Sequence, residues 1–154
     1  MTTYRQAQEL LEGLLRSKAV RVQAQDKFSY AWGKNYDKLI SIQKVIEKRR
    51  YPEQTDATKK FMKEVSKIGD ILKERDVQKE NYEAEYKIEA DRIEKLFPDV
   101  KKYYDDHNKA FEAWLDTDVE FEPYVFISDI KFHGSDMPEM TLEQRAGISF
   151  MVME

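Results

Sequence analysis

Glu9-Leu-Leu-Glu12 and Glu53-Gln-Thr-Asp56 each set two carboxylates three residues apart, a spacing that puts both on one face of a helix. Such pairs can hold magnesium, a hard cation that takes oxygen ligands. The separation of the two pairs does not suit a compact four-helix site, however, and Asp56 stands where a helix cap explains it. Glu-x-x-Glu also arises by chance in a chain this acidic. The histidines, His107 and His133, have no second histidine or cysteine at ligand spacing. His107 falls on an apolar stripe and is expected to be packed and hydrogen-bonded, whereas His133 precedes a glycine and is expected to be exposed. The chain has no cysteine, so thiolate metal sites, thiol nucleophiles and disulfides are excluded, which fits a reducing compartment. Neither a glycine-rich phosphate loop nor a serine in a nucleophile elbow occurs. No catalytic residue, metal or cofactor is expected.

Lys44, Lys48, Arg49 and Arg50, with Tyr51 and Lys59, Lys60 and Lys63, form the most basic stretch and could meet phosphates. A solvated helix end accounts for them equally well, and the acidic C-terminal part would repel nucleic acid, so nucleic acid is not an expected partner. Charge is uneven along the chain. Residues 1–50 carry 11 basic and 5 acidic side chains, residues 51–115 carry 13 and 16, and residues 116–154 carry 2 and 9. The basic front and acidic tail could attract one another, within one chain or between copies, although scattered, solvated surface charge is the simpler reading.

The elements that carry these residues are mostly helical. Charged residues make up 36% of the 154 residues and glycine and proline number only 5 and 4, a composition of long solvated helices. At this length a chain buries about two thirds of its unfolded surface. Ala7, Leu10, Leu11, Leu14 and Leu15 predict a helix over about residues 3–17, capped by Thr2 or Thr3. Lys18-Ala-Val-Arg-Val is a connector or a bent continuation. Phe28, Trp32, Tyr36 or Asn35, Leu39, Ile42 and Ile46 trace one stripe of a long helix ending at Lys48-Arg49-Arg50, with Pro52 beyond. A third helix starts at Thr55 or Asp56 and carries Phe61, Val65, Ile68 and Leu72. Its stripe fades, then resumes at Tyr82, Tyr86, Ile93 and Leu96. The absence of glycine and proline favours one rod over 56–97, supported by Glu83–Lys87 and Asp91–Lys95 pairs; the alternative is a hairpin turning near Gln78–Asn81. Pro98 opens a last long helix bearing Val100, Tyr104, His107, Phe111, Trp114 and Leu115.

After Leu115 the character changes. Val119 to Ile127 alternates as a half-exposed strand should, and Pro123 inside it makes it an edge strand or an extended arm. Gly134 to Pro138 is a loop, and Thr141-Leu-Glu-Gln144 is a capping box that starts a short helix through Met153. The expected organisation is a helical domain over 1–115 and a strand-loop-helix appendage over 116–154, packed on the helices or forming an arm. Arg5, Glu9, Glu12 and Arg16 interrupt the early leucines, so no secretory signal is expected, and no run approaches membrane-spanning length. A cytoplasmic location follows as an expectation.

The C-terminal quarter is unusually rich in large apolar side chains. Phe121, Tyr124, Phe126, Ile148, Phe150, Met151 and Met153 are the candidate partner-binding residues, since methionine and aromatics adapt to irregular apolar partners. The other reading is a satellite core beneath the helices. Deleting residues 119–154 is expected to leave the helices intact and abolish partner capture.

Gln8-Glu-Leu-Leu-Glu-Gly-Leu-Leu followed by Lys18-Ala-Val-Arg-Val, the charged central helices, Val119-Glu-Phe-Glu-Pro, and the ending Asp136-Met-Pro-Glu-Met-Thr-Leu-Glu-Gln with Ile148-Ser-Phe-Met resemble small helical tail-assembly proteins of long-tailed bacteriophages, the tape-measure chaperones. The resemblance implies a mainly α fold of long antiparallel helices, a hairpin or bundle, with a small C-terminal α/β appendage. It implies an oligomeric, non-catalytic protein of the host cytoplasm that binds the hydrophobic helices of a tape-measure protein. Two alternatives remain: a phage-encoded adaptor or inhibitor of a host protein, and a magnesium-dependent all-α nucleotide pyrophosphatase built on the Glu9 and Glu12 pair.

Overall fold

The computed structural model describes residues 1–23, 27–127 and 139–153. The chain is mainly α and divides into two compact units, Met1–Arg50 with Glu112–Glu154, and Tyr51–Phe111. His133 and the Gly134 to Pro138 loop lie outside the described residues.

In the first unit, α1 (Tyr4–Arg16) begins with a reciprocal cap. The Thr3 hydroxyl accepts from Gln6 N–H, and Gln6 Oε1 accepts from Thr3 N–H at 3.0 Å. Ser17 closes the helix by donating to the Leu14 carbonyl at 2.8 Å, and its hydroxyl receives the Trp32 indole N–H. The chain then resumes as α2 (Lys18–Gln23), the bent continuation rather than a connector. In α3 (Lys27–Arg50) the expected stripe is the buried one: Phe28, Trp32, Leu39, Ile42 and Ile46, with Asn35 and not Tyr36 at the ambiguous position.

The acidic segment returns to this helical pair in pieces. β2 (Asp118–Val119) runs antiparallel to β1 (Thr2–Thr3), and β3 (Phe126–Ile127) runs parallel to β4 (Val152–Met153). The continuous strand expected over 119–127 does not form, because Pro123 removes a ladder donor and a side chain takes over the pairing. Asn35 Nδ2 donates to the Tyr124 carbonyl and Asn35 Oδ1 accepts the Tyr124 N–H, both at 2.8 Å. The C-terminal helix also stops early. α8 (Leu142–Ile148) starts at the predicted Thr141–Gln144 capping box, passes into one 3₁₀ turn over Ser149–Met151, and gives way to β4. Here α8 crosses α1 at Gly13 and Gly147 so closely that a Cβ on Gly13 would stand 2.9 Å from Gly147 Cα.

Arg5 forms ion pairs with Glu112 at 2.9 Å and Asp116 at 2.8 Å, and Arg16 reaches Glu143 at 3.8 Å. The basic front thus meets the acidic segment within one chain.

In the second unit the single rod over 56–97 is not formed. α4 (Asp56–Ser66), capped by Thr55, yields after Lys67 to α5 (Ile68–Glu74). Asp76 then takes φ 52°, Asp76 N–H bonds to the Lys73 carbonyl at 3.1 Å, and Val77 N–H bonds to the Leu72 carbonyl at 3.2 Å. This is a Schellman ending, with an aspartate in the left-handed position usually held by glycine. A 3₁₀ turn over Lys79–Asn81 leads into α6 (Tyr82–Leu96), so the hairpin alternative describes the chain. Ile68, Leu72 and Ile93 form the buried centre, flanked by Phe61, Val65, Val77, Ala90 and Phe97. Tyr82, Tyr86 and Leu96, expected on the buried stripe, are exposed, and Glu89 is buried instead. Arg75 and Arg92 both pair with Glu89, and Glu64–Lys67 and Glu94–Lys101 pairs also form, whereas the Glu83–Lys87 and Asp91–Lys95 pairs expected from spacing are not among the ion pairs of the described residues. α7 (Pro98–Leu115) follows, and its last turn belongs to the first unit.

Candidate partner-binding surface

The seven tail residues separate into two sets. Phe126, Ile148 and Met151 are buried, the last two completely, so they serve as core and are not surface contacts. Phe126 packs edge-on against Phe28 of α3 at 6.1 Å, and the Met151 sulfur receives an N–H of Asn35 at 3.4 Å. The tail therefore supplies core side chains as well as the remaining candidate surface residues.

The other four reach the surface. Phe121 and Phe150 are half-buried, with ring centroids 6.2 Å apart. Met153 is 55% exposed at the end of β4, and Tyr124 is 40% exposed beside Tyr30 of α3, at 5.4 Å in a T-shaped pair. Tyr30 is itself exposed, with the Lys34 ammonium 5.3 Å from its ring. Tyr30 is not among the residues singled out from the sequence. Its signal was an aromatic lying off the apolar stripe of an amphipathic helix, where burial does not require one.

Phe121 stands between two open grooves. Asp37, Lys38, Ser41 and Ile42 of α3 line one with Glu120 and Glu122, and Thr2, Asp118 and Val119 contribute to the other. Exposure alternates along this stretch: Asp118, Glu120 and Glu122 face water while Val119 and Phe121 are half-buried. The Lys38 ammonium donates to the Glu122 carbonyl at 2.7 Å, which ties the segment to α3. Nearby, the Arg5 guanidinium holds the Asp116 carboxyl below the usual carboxylate range by direct hydrogen bonding, against the opposing effect of desolvation.

The carboxylate pairs do not assemble a cation site. Glu9 and Glu12 flank the Gly13 crossing with Arg16 nearby, and Glu53 and Asp56 belong to the second unit, where Thr55 takes the cap. Among the described residues no three His, Asp or Glu side chains gather in a way that could hold a metal ion. His107 is half-buried, its ring parallel to Phe111 at 6.4 Å. In the basic stretch, Arg49 lies 4.6 Å over the Trp114 ring and Arg50 pairs with Glu47 at 3.0 Å. No described helix is long and apolar enough to cross a membrane. Compared with family models, with curated proteins and with solved structures, the chain finds no match in any of the three.

Proposed function

We propose that this chain is a non-catalytic binding protein that covers apolar helices of a tape-measure type protein during phage tail assembly, working as an oligomer in the host cytoplasm. The observation that supports this reading is the division of labour in the C-terminal segment. Three large side chains anchor it in the core, while Phe121, Tyr124, Phe150 and Met153 stay at the surface, with the backbone held by Asn35 at Tyr124, by Lys38 at Glu122 and by the β3–β4 pairing at Met153. Surface aromatics held on a rigid frame lose little freedom on binding, which favours adhesion to an apolar partner. A long apolar helical protein aggregates unless covered, and a soluble helical protein with a charged exterior can cover it reversibly.

The carboxylates around Phe121 also favour a second reading, an adaptor or inhibitor that docks on a host protein through a charged surface. Co-expression with an apolar helical segment of a tape-measure protein separates the two. The proposed function expects the segment to stay soluble and to co-purify with this chain. It also expects a Phe150→Ser, Met153→Ser double variant to lose most of that capture while its circular dichroism holds. Aggregation of the segment despite co-expression, or undiminished capture by the double variant, overturns the reading.

A further inference from the structure

We infer that the surface around Phe121 accepts a basic amphipathic helix, its apolar face seated on Phe121 and its lysines or arginines set against the carboxylates alongside. The inference deepens the protein-binding reading above by giving the partner a charge. Two features of different kind support it. One is shape: two open grooves share the half-buried Phe121, with Ile42 also lining one and Val119 the other, so apolar side chains are offered in both hollows. The other is charge. Asp37 from α3 and Asp118, Glu120 and Glu122 from the facing segment border these grooves, and all four are exposed.

None of the four takes part in an ion pair among the described residues, whereas elsewhere in the same unit Glu112, Asp116 and Glu143 are matched by arginines. Of the cations lining the grooves, Lys38 directs its ammonium to a backbone carbonyl, and the Met1 ammonium is not in an ion pair with any of the four. Like charges gathered at the edge of an apolar patch repel one another, and a partner of opposite charge relieves that repulsion. An acidic helix or an anionic lipid surface would meet repulsion at the same place.

The probes are two fluorescein-labelled helical peptides with an identical leucine face, one flanked by lysine and the other by glutamate, titrated with the full chain and read by anisotropy. The lysine peptide is expected to bind at least about tenfold more tightly, and to weaken as salt is raised. Glu120→Gln with Glu122→Gln should erase most of that preference, and because both side chains are exposed the fold is left intact. Phe121→Ser should weaken binding at any salt concentration.

Equal binding of the two peptides overturns the charge assignment and leaves the broader protein-binding reading standing. Failure of the lysine peptide to bind, or an unchanged preference in the double variant, overturns the inference outright. The co-expression experiment then decides the broader reading on its own.

Discussion

Glu89 is a carboxylate that the fold removes from water and then holds at both oxygens. Its side chain is 5% exposed, with Arg75 Nη1 donating to Oε1 and Arg92 Nε to Oε2, each at 2.9 Å. The Arg92 hydrogen bond is the main force keeping the carboxyl below its ordinary range, with desolvation opposing it and Arg75 assisting. A group whose pKa is depressed by folding contributes stability above its unfolded value, about 4.3 for glutamate, and loses that contribution as pH falls through the folded value. Glu89→Gln should therefore lower the urea midpoint at neutral pH, and the gap from the parent should shrink in acid, below about pH 4. A gap that is the same at both pH values would assign Glu89 a packing role only. The residue was readable in part, because positions 86, 89, 93 and 97 share one helical face and so put a glutamate on an apolar stripe. Asn35 is the parallel case. The ambiguity between it and Tyr36 could not be settled from spacing, since what buries Asn35 is a backbone 89 residues away.

Helix ends were legible where apolar spacing and a cap or charge signal agree, as at the start of α1 at Thr3, the end of α3 at the Lys48–Arg50 cluster and the start of α8 at Thr141. The hairpin between α5 and α6 was obscured because its punctuation is an aspartate. Helix ends commonly use glycine for the left-handed residue, and Asp76 pays a modest strain there while Val77 packs back onto the Leu72 cluster. The strand after Leu115 was overextended for a similar reason: alternation reports which side chains face water, and says nothing of whether a ladder or an asparagine holds the backbone. Glycines make the clearest test at this scale. Gly147→Ala would push a methyl group into the Gly13 carbonyl, and should cost about 1–3 kcal/mol. Gly33→Ala in α3, where a new Cβ meets nothing within 4 Å, should stabilise the protein by about 0.5–1 kcal/mol. Urea denaturation of the two variants, compared at unchanged slope, reads both signs; a neutral Gly147→Ala would mean that the crossing can open at no cost.

Across the whole chain, periodicity reports which face each element buries but not which distant segment covers it. The tail's apolar residues were recognised as a group, yet their division into Phe126, Ile148 and Met151 inside and Phe121, Tyr124, Phe150 and Met153 outside depends on β3 meeting β4 and on α8 meeting α1. Those contacts join parts of the sequence that no local pattern connects. The expectation that residues 119–154 can be deleted without harm to the helices changes accordingly. Removal takes away buried side chains from the first unit, so the truncated chain should lose cooperative unfolding there and part of its helical signal. Residues 51–111, which have their own centre around Ile68, Leu72 and Ile93, should keep theirs. Far-UV circular dichroism through a urea titration checks both halves of this statement, and full retention of helix and cooperativity would return the tail to the status of a loose appendage.

A unit stitched together from residues 1–50 and 112–153 also fixes an order of events on the ribosome. The first 50 residues emerge with Leu14, Phe28 and Leu39 seeking cover, but Ile148 and Met151 arrive only when about 100 more have been added, several seconds later at about 5–20 residues per second. Through that interval the intervening hairpin can fold and α1 can pair with α3, but the nascent front lacks the cover that α8 and the segment after it later supply.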